Sequence, residues 1–76
     1  MDTKYYNTFK KVGLNIAYYR REQNITQEAL AEIVGISRLH LSRIENATVS
    51  ASLSIIFAIA DALSIPVKSL FEFRDW

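Results

Sequence analysis

Residues 26 to 46, TQEALAEIVGISRLHLSRIEN, leave the backbone few choices. Thr26 is a residue type that caps helix starts, and Glu28 follows in the first turn, where an acid complements the helix dipole. Leu30, Ala31 and Val34 recur at helical spacing as a buried face. Gly35 then stops the helix, because a sharp turn there needs a positive φ. Ser37 caps a further helix that presents Leu41 and Ile44 to the core and runs to about Asn46.

The flanking sequence is helical too. One proline and two glycines occur in 76 residues, and few β-branched alternations appear. Tyr5, Phe9, Val12, Ile16 and Tyr19 recur at spacings of four and three, one face of a first helix. Asp2 or Thr3 is the candidate cap at its start, and Asn24 is suited to a left-handed residue at its end. After the polar loop ATVSAS, Ser52 caps a fourth helix from Leu53 to about Leu63. Pro66, at a first helical position, opens a short fifth. The expectation is an all-α, five-helix chain forming one domain over residues 1–76.

Composition narrows the function classes. There is no cysteine, which removes disulfide scaffolds and cysteine zinc sites. The single histidine has no partners at ligand spacing, so no metal or other cofactor is called for. No nucleophile with a base and orienting acid appears, nor a glycine-rich phosphate loop, which argues against an enzyme. The opening MDTKYYNTFKK has no apolar stretch of a signal peptide, and the longest apolar run, IIFAIA, is far short of a membrane span. A cytoplasmic protein with no membrane partner is expected. Net charge is only +1, but through Asn46 seven Lys/Arg face five Asp/Glu, against two and three afterwards.

Two short helices joined by a glycine-containing turn make a helix-turn-helix, here at helices two and three. Ala31 is small where the helices approach, and Ile36 plugs the corner beneath Gly35. With Leu41 and Ile44 buried and roughly 100° per residue, Leu39, Ser42, Arg43 and Asn46 point outward, and Arg38 projects from the leading end. Such a helix enters the major groove N-terminus first, so Arg38, Leu39, Ser42 and Arg43 are the base-reading candidates. Arginine can bond guanine O6 and N7 together, and Leu39 can meet a thymine methyl. His40 lies at the flank, where it touches phosphate or merely packs against the neighbouring helix. Gln27 and Ser37 start helices, whose free N–H groups suit phosphate. Two charges oppose the dipole of this helix: Arg38 in its first turn and Glu45 in its last.

VGLNIAYYRREQNITQEALAEIVGISRLHLSRIENA and SLSIIFAIADALSIPVKSLF resemble the phage-repressor and Cro type of helix-turn-helix protein, the XRE family, over about residues 12 to 71. The resemblance implies a five-helix domain that binds operator DNA. It places base contacts on Arg38, Leu39 and Arg43, a phosphate-clamping glutamine on Gln27, and backbone contacts on Asn46 and Thr48. It also implies a structural ion pair between Glu45 and Arg20. The chain departs from the family where Ala47 replaces a common glycine, Thr48-Val49-Ser50 an often basic loop, and Ala51 a frequent proline. Fewer cations there imply a shallower salt dependence of DNA binding.

The fourth helix is apolar nearly all round. Leu53, Ile56, Phe57, Ala60 and Leu63 read as its core stripe, leaving Ile55, Ala58, Ile59 and Ala62 on other sides. With Phe71, Phe73 and Trp76 in the tail, this suggests more apolar area than a monomer hides. A twofold homodimer is expected through about residues 52–76, with Ile55, Ile59, Ala62, Phe71, Phe73 and Trp76 at the interface. The expected function is a sequence-specific transcriptional repressor binding a palindromic operator in double-stranded DNA. The alternatives are an antitoxin, whose essential partner is a toxin, and a purely protein-binding helical module.

Overall fold

A computed structural model describes residues 3–73. Its α-helices are α1 (Tyr6–Glu22), α2 (Gln27–Val34), α3 (Arg38–Glu45) and α4 (Leu53–Ala62), with 3₁₀ turns at Thr3–Tyr5 and Val67–Phe71. The expected fifth α-helix is the second of these turns. Pro66 is not its first helical residue but its cap, in extended conformation at ψ 142°. The segment is five residues long, and Ser69 N–H bonds Pro66 O at 2.9 Å in the i to i+3 pattern.

Local chemistry explains the helix starts. The hydroxyls of Thr26, Ser37 and Ser52 accept hydrogen bonds from the N–H groups of Ala29, His40 and Ile55, at 3.0, 3.0 and 3.2 Å. The start of α1 differs from expectation. Tyr5 occupies its cap position without a side-chain bond, Thr3 lies in the preceding 3₁₀ turn, and Asp2 is outside the described residues.

The helix ends share one device. Each helix is followed by a left-handed residue: Asn24, Gly35, Ala47 and Ser64, with φ of 58°, 89°, 58° and 56°. The next residue's N–H then reaches back five positions to close the helix. Those bonds run from Ile25 to Arg20, Ile36 to Ala31, Thr48 to Arg43 and Ile65 to Ala60, at 2.9–3.0 Å. After α1, α2 and α4 the closing residue is an isoleucine packed against the core. After α3 it is exposed Thr48, whose hydroxyl also donates to Arg43 O at 3.3 Å.

The core joins Val12 and Ile16 of α1, Leu30 and Ala31 of α2, Leu41 and Ile44 of α3, Ile56, Ile59 and Ala60 of α4, Leu63 at its end, and Leu70. Buried Asn15 ties the tail to α1, its Nδ2 donating to Leu70 O at 3.0 Å and Glu72 O at 3.2 Å. Tyr5, expected on the buried face of α1, is exposed, because it lies in the 3₁₀ turn and not in the register of α1.

Helix α4 is rotated from the expected orientation. Leu53 and Phe57, assigned to the core, are 65% and 53% exposed. Ile59, assigned to a dimer surface, is 0% exposed, and Ile55 and Ala62 are half-buried against the core. The reason lies in where the neighbours are: α2 and the C-terminal 3₁₀ turn both pack on α4, and together they cover the Ile56–Ile59–Leu63 arc. Of the surface expected to bind a second copy, Phe71 and Phe73 are exposed, and Trp76 lies outside the described residues. No helix among the described residues is long and apolar enough to cross a membrane.

Candidate nucleic-acid interface

Helix α3 is seated by Leu41 and Ile44, 0% and 4% exposed, so its opposite side is free. Arg38, Leu39 and Arg43 are exposed there, and Ser42 is half-buried. Leu39, at 54%, is an apolar side chain left in water on the same face as two arginines. His40 is half-buried at the flank, and Ser37 Oγ is occupied as the helix cap. At the trailing end, Asn46 Nδ2 lies 3.4 Å from Ser42 Oγ, a long hydrogen bond.

A chain of polar contacts locks this helix to the other two. Arg20 of α1 grips Glu45 with two bonds, Nε to Oε2 at 2.8 Å and Nη2 to Oε1 at 3.1 Å. Its Nη1 donates to Ile25 O at 3.0 Å. Gln27, first residue of α2, donates from Nε2 to Glu45 Oε1 at 3.0 Å and accepts at Oε1 from Arg38 Nη1 at 3.4 Å. The Arg20 and Glu45 side chains are only 8% and 4% exposed, so each charge depends on the other for the solvation it has lost. Glu45 opposes the dipole of its own helix, and three donated hydrogen bonds offset that.

One residue that positions the site, and one contact of another, were not read from the sequence. Gly13 faces the end of α3, where a β-carbon would lie 2.8 Å from Ile44 O and closer still to Glu45 O. A glycine inside a strong helical pattern is the signal of such an approach. The contact of Gln27 with Glu45 had no signal, since a polar residue at a helix start reads simply as exposed.

Comparison with known proteins agrees with this geometry. The profile of the helix-turn-helix family matches residues 16–70, and the chain belongs to that family. It is 35% identical over 60 residues to an HTH-type transcriptional regulator of Methanocaldococcus jannaschii, covering 79% of this chain and 91% of that protein. It is 43% identical over 54 residues to the antitoxin PezA of Streptococcus pneumoniae, covering 71% of this chain but only 34% of the antitoxin. Among solved structures, the restriction-modification controller C.AhdI of Aeromonas hydrophila superposes with a TM-score of 0.85 at 30% identity, over 88% of this chain and 97% of that one. The P22 c2 repressor, solved in complex with a synthetic operator, superposes at 0.74 with 26% identity, over 80% and 92%.

Proposed function

We propose that this helix-turn-helix regulator is a sequence-specific transcriptional repressor that sets α3 into the major groove of double-stranded DNA. The observation that carries the reading is the outward face of α3, where Arg38, Leu39 and Arg43 are exposed on a helix held rigidly from behind by Arg20, Glu45 and Gln27. Arg38 and Arg43 offer paired donors to guanine, Leu39 offers apolar contact to a thymine methyl, and Ser42 sits between them. Gln27, Ser37, His40, Asn46 and Thr48 surround this face with groups suited to phosphate. The P22 c2 repressor, similar in fold, was crystallised with operator DNA, which supports the same use of this helix.

The repressor acts as a homodimer in the cytoplasm, with a second copy covering the exposed Leu53, Phe57, Phe71 and Phe73. Of these, Leu53 and Phe71 line a small cavity of about 110 Å³ together with Phe9, Val49, Ala51 and others. Two recognition helices would then address half-sites roughly 34–36 Å apart. Selection of bound duplexes from random DNA tests the reading. It should return a palindrome with guanine-containing half-sites, and recovery of no sequence preference would reject it.

A second reading is favoured by the 43% identity to an antitoxin. The same apolar face would then receive a toxin. Copurification of a toxin from the native source, with that face protected, is the outcome that selects this reading.

A further inference from the structure

We propose that Arg21, in the last turn of α1, is a DNA-phosphate anchor that extends the footprint beyond the helix-turn-helix; this rests on the DNA-binding reading above. Arg20 and Arg21 are adjacent and differently employed. Arg20 is buried and committed to Glu45 and to Ile25 O. Arg21 is exposed, and its guanidinium has no hydrogen-bond or ion-pair partner among the described residues.

Arg21 lines one shallow concavity with Arg20, Thr26, Gln27, Glu28 and Arg38. The last turn of α1, the first turn of α2 and the first turn of α3 therefore share one surface. Charge on that surface is unevenly committed. Arg20 is neutralised by Glu45, and Glu28 is the one acid in the lining, leaving two guanidinium groups, Arg21 and Arg38, against one carboxylate. A base at the end of α1 gains from that helix's dipole without any ligand. The dipole does not account for its opening onto the surface that holds Gln27 and Arg38.

With α3 in the major groove, the preceding helix crosses the sugar–phosphate backbone, and a side chain beside its first turn meets phosphate, not base edges. A guanidinium binds a phosphodiester through two parallel N–H donors and carries no sequence information. Arg21 thus sets register and affinity, while Arg38 and Arg43 read sequence.

The test is titration of the full chain and of Arg21→Ala, Arg21→Lys and Arg38→Ala with two duplexes, a selected operator and a scrambled one of equal length. Each neutralised phosphate adds about −0.9 to the slope of log affinity against log salt. Arg21→Ala should therefore shallow the slope by about 0.9, so that wild-type affinity falls roughly 3.5-fold more than the variant's between about 50 and 200 mM salt. The loss should be equal on both duplexes, Arg21→Lys should restore the slope, and the melting temperature of Arg21→Ala should fall only slightly, by the dipole contribution it gives up. An unchanged slope in Arg21→Ala, with Arg38→Ala losing operator preference, overturns the role of Arg21 alone. A loss confined to the operator duplex also overturns it. If wild type binds neither duplex, the DNA-binding reading falls and takes this anchor with it.

Discussion

Gly13 of α1 and Glu45 of α3 meet backbone to backbone, so closely that no β-carbon fits between them. The same Glu45 is gripped through its side chain by Arg20, two helical turns further along α1. One residue of the recognition helix is thus fixed at both its carbonyl and its carboxylate by a single neighbouring helix.

Gly13→Ala is expected to force α1 and α3 apart. Overpacking of this kind costs about 1–3 kcal/mol, and backbone atoms yield less readily than side chains. Denaturant melts should show the loss, with a drop in operator affinity beyond the unfolded fraction because α3 is displaced. A variant as stable as wild type would mean that the close approach is not retained in solution.

Removing one member of the buried pair should be far worse than removing both. Arg20→Met or Glu45→Leu alone is expected to cost about 3–5 kcal/mol, by stranding the remaining charge. The double variant Arg20→Met with Glu45→Leu should recover much of that, since apolar replacement of a buried pair is often neutral. A double-mutant cycle measured by urea unfolding checks this, and strictly additive single losses would contradict it.

The left-handed residues give two opposite outcomes. Ser64 is exposed at φ 56°, where a β-carbon is strained and its side chain makes no core contact. Ser64→Gly should relieve about 1–2 kcal/mol of strain, offset by about 0.4–1 kcal/mol of added unfolded-state freedom, for a small net gain. Gly35→Ala meets open space at φ 89°, so it should lose about 1–2 kcal/mol from conformation alone. Thermal melts of the two variants should move in opposite directions.

Much of this architecture is local and was therefore legible. Thr26, Ser37 and Ser52 cap their helices through their own hydroxyls, and Asn24 and Gly35 take the left-handed turns suited to them. Helix α4 was not legible in orientation. LSIIFAIADA is apolar on nearly every side, so periodicity carries no direction, and only packing by α2 and the tail decides that Ile59 goes in and Phe57 stays out. Asn15 was hidden for the converse reason: its partners are carbonyls 55 and 57 residues away. The pairing of Arg20 with Glu45 came from family resemblance, since nothing local joins residues 25 apart.

For base reading, Arg38→Ala should cost about 1–3 kcal/mol on operator DNA and relax preference at one position of each half-site. Competition against single-base operator variants distinguishes this from a uniform loss, which would mark Arg38 as a phosphate contact.

For self-association, Phe57→Lys should leave the monomer's melting behaviour nearly unchanged, because the ring is already 53% exposed. Sedimentation should show a shift from dimer to monomer, with weaker operator binding following from lost bivalency. An unaltered mass would place the interface elsewhere.

Three helix exits are plugged by isoleucine, and the exit of α3 is closed by Thr48, which lies in water. Opening the other exits exposes the closing isoleucine, whereas at this exit the closing side chain already lies in water. The backbone amides around Thr48 should therefore exchange with solvent deuterium soonest among the four exits. The recognition helix is thus held firmly at Glu45, its last residue, and the looser part is the loop that starts beyond it at Thr48. That loop, and not the last turn of α3, can settle onto the backbone of different operators while Arg20 and Glu45 stay in place.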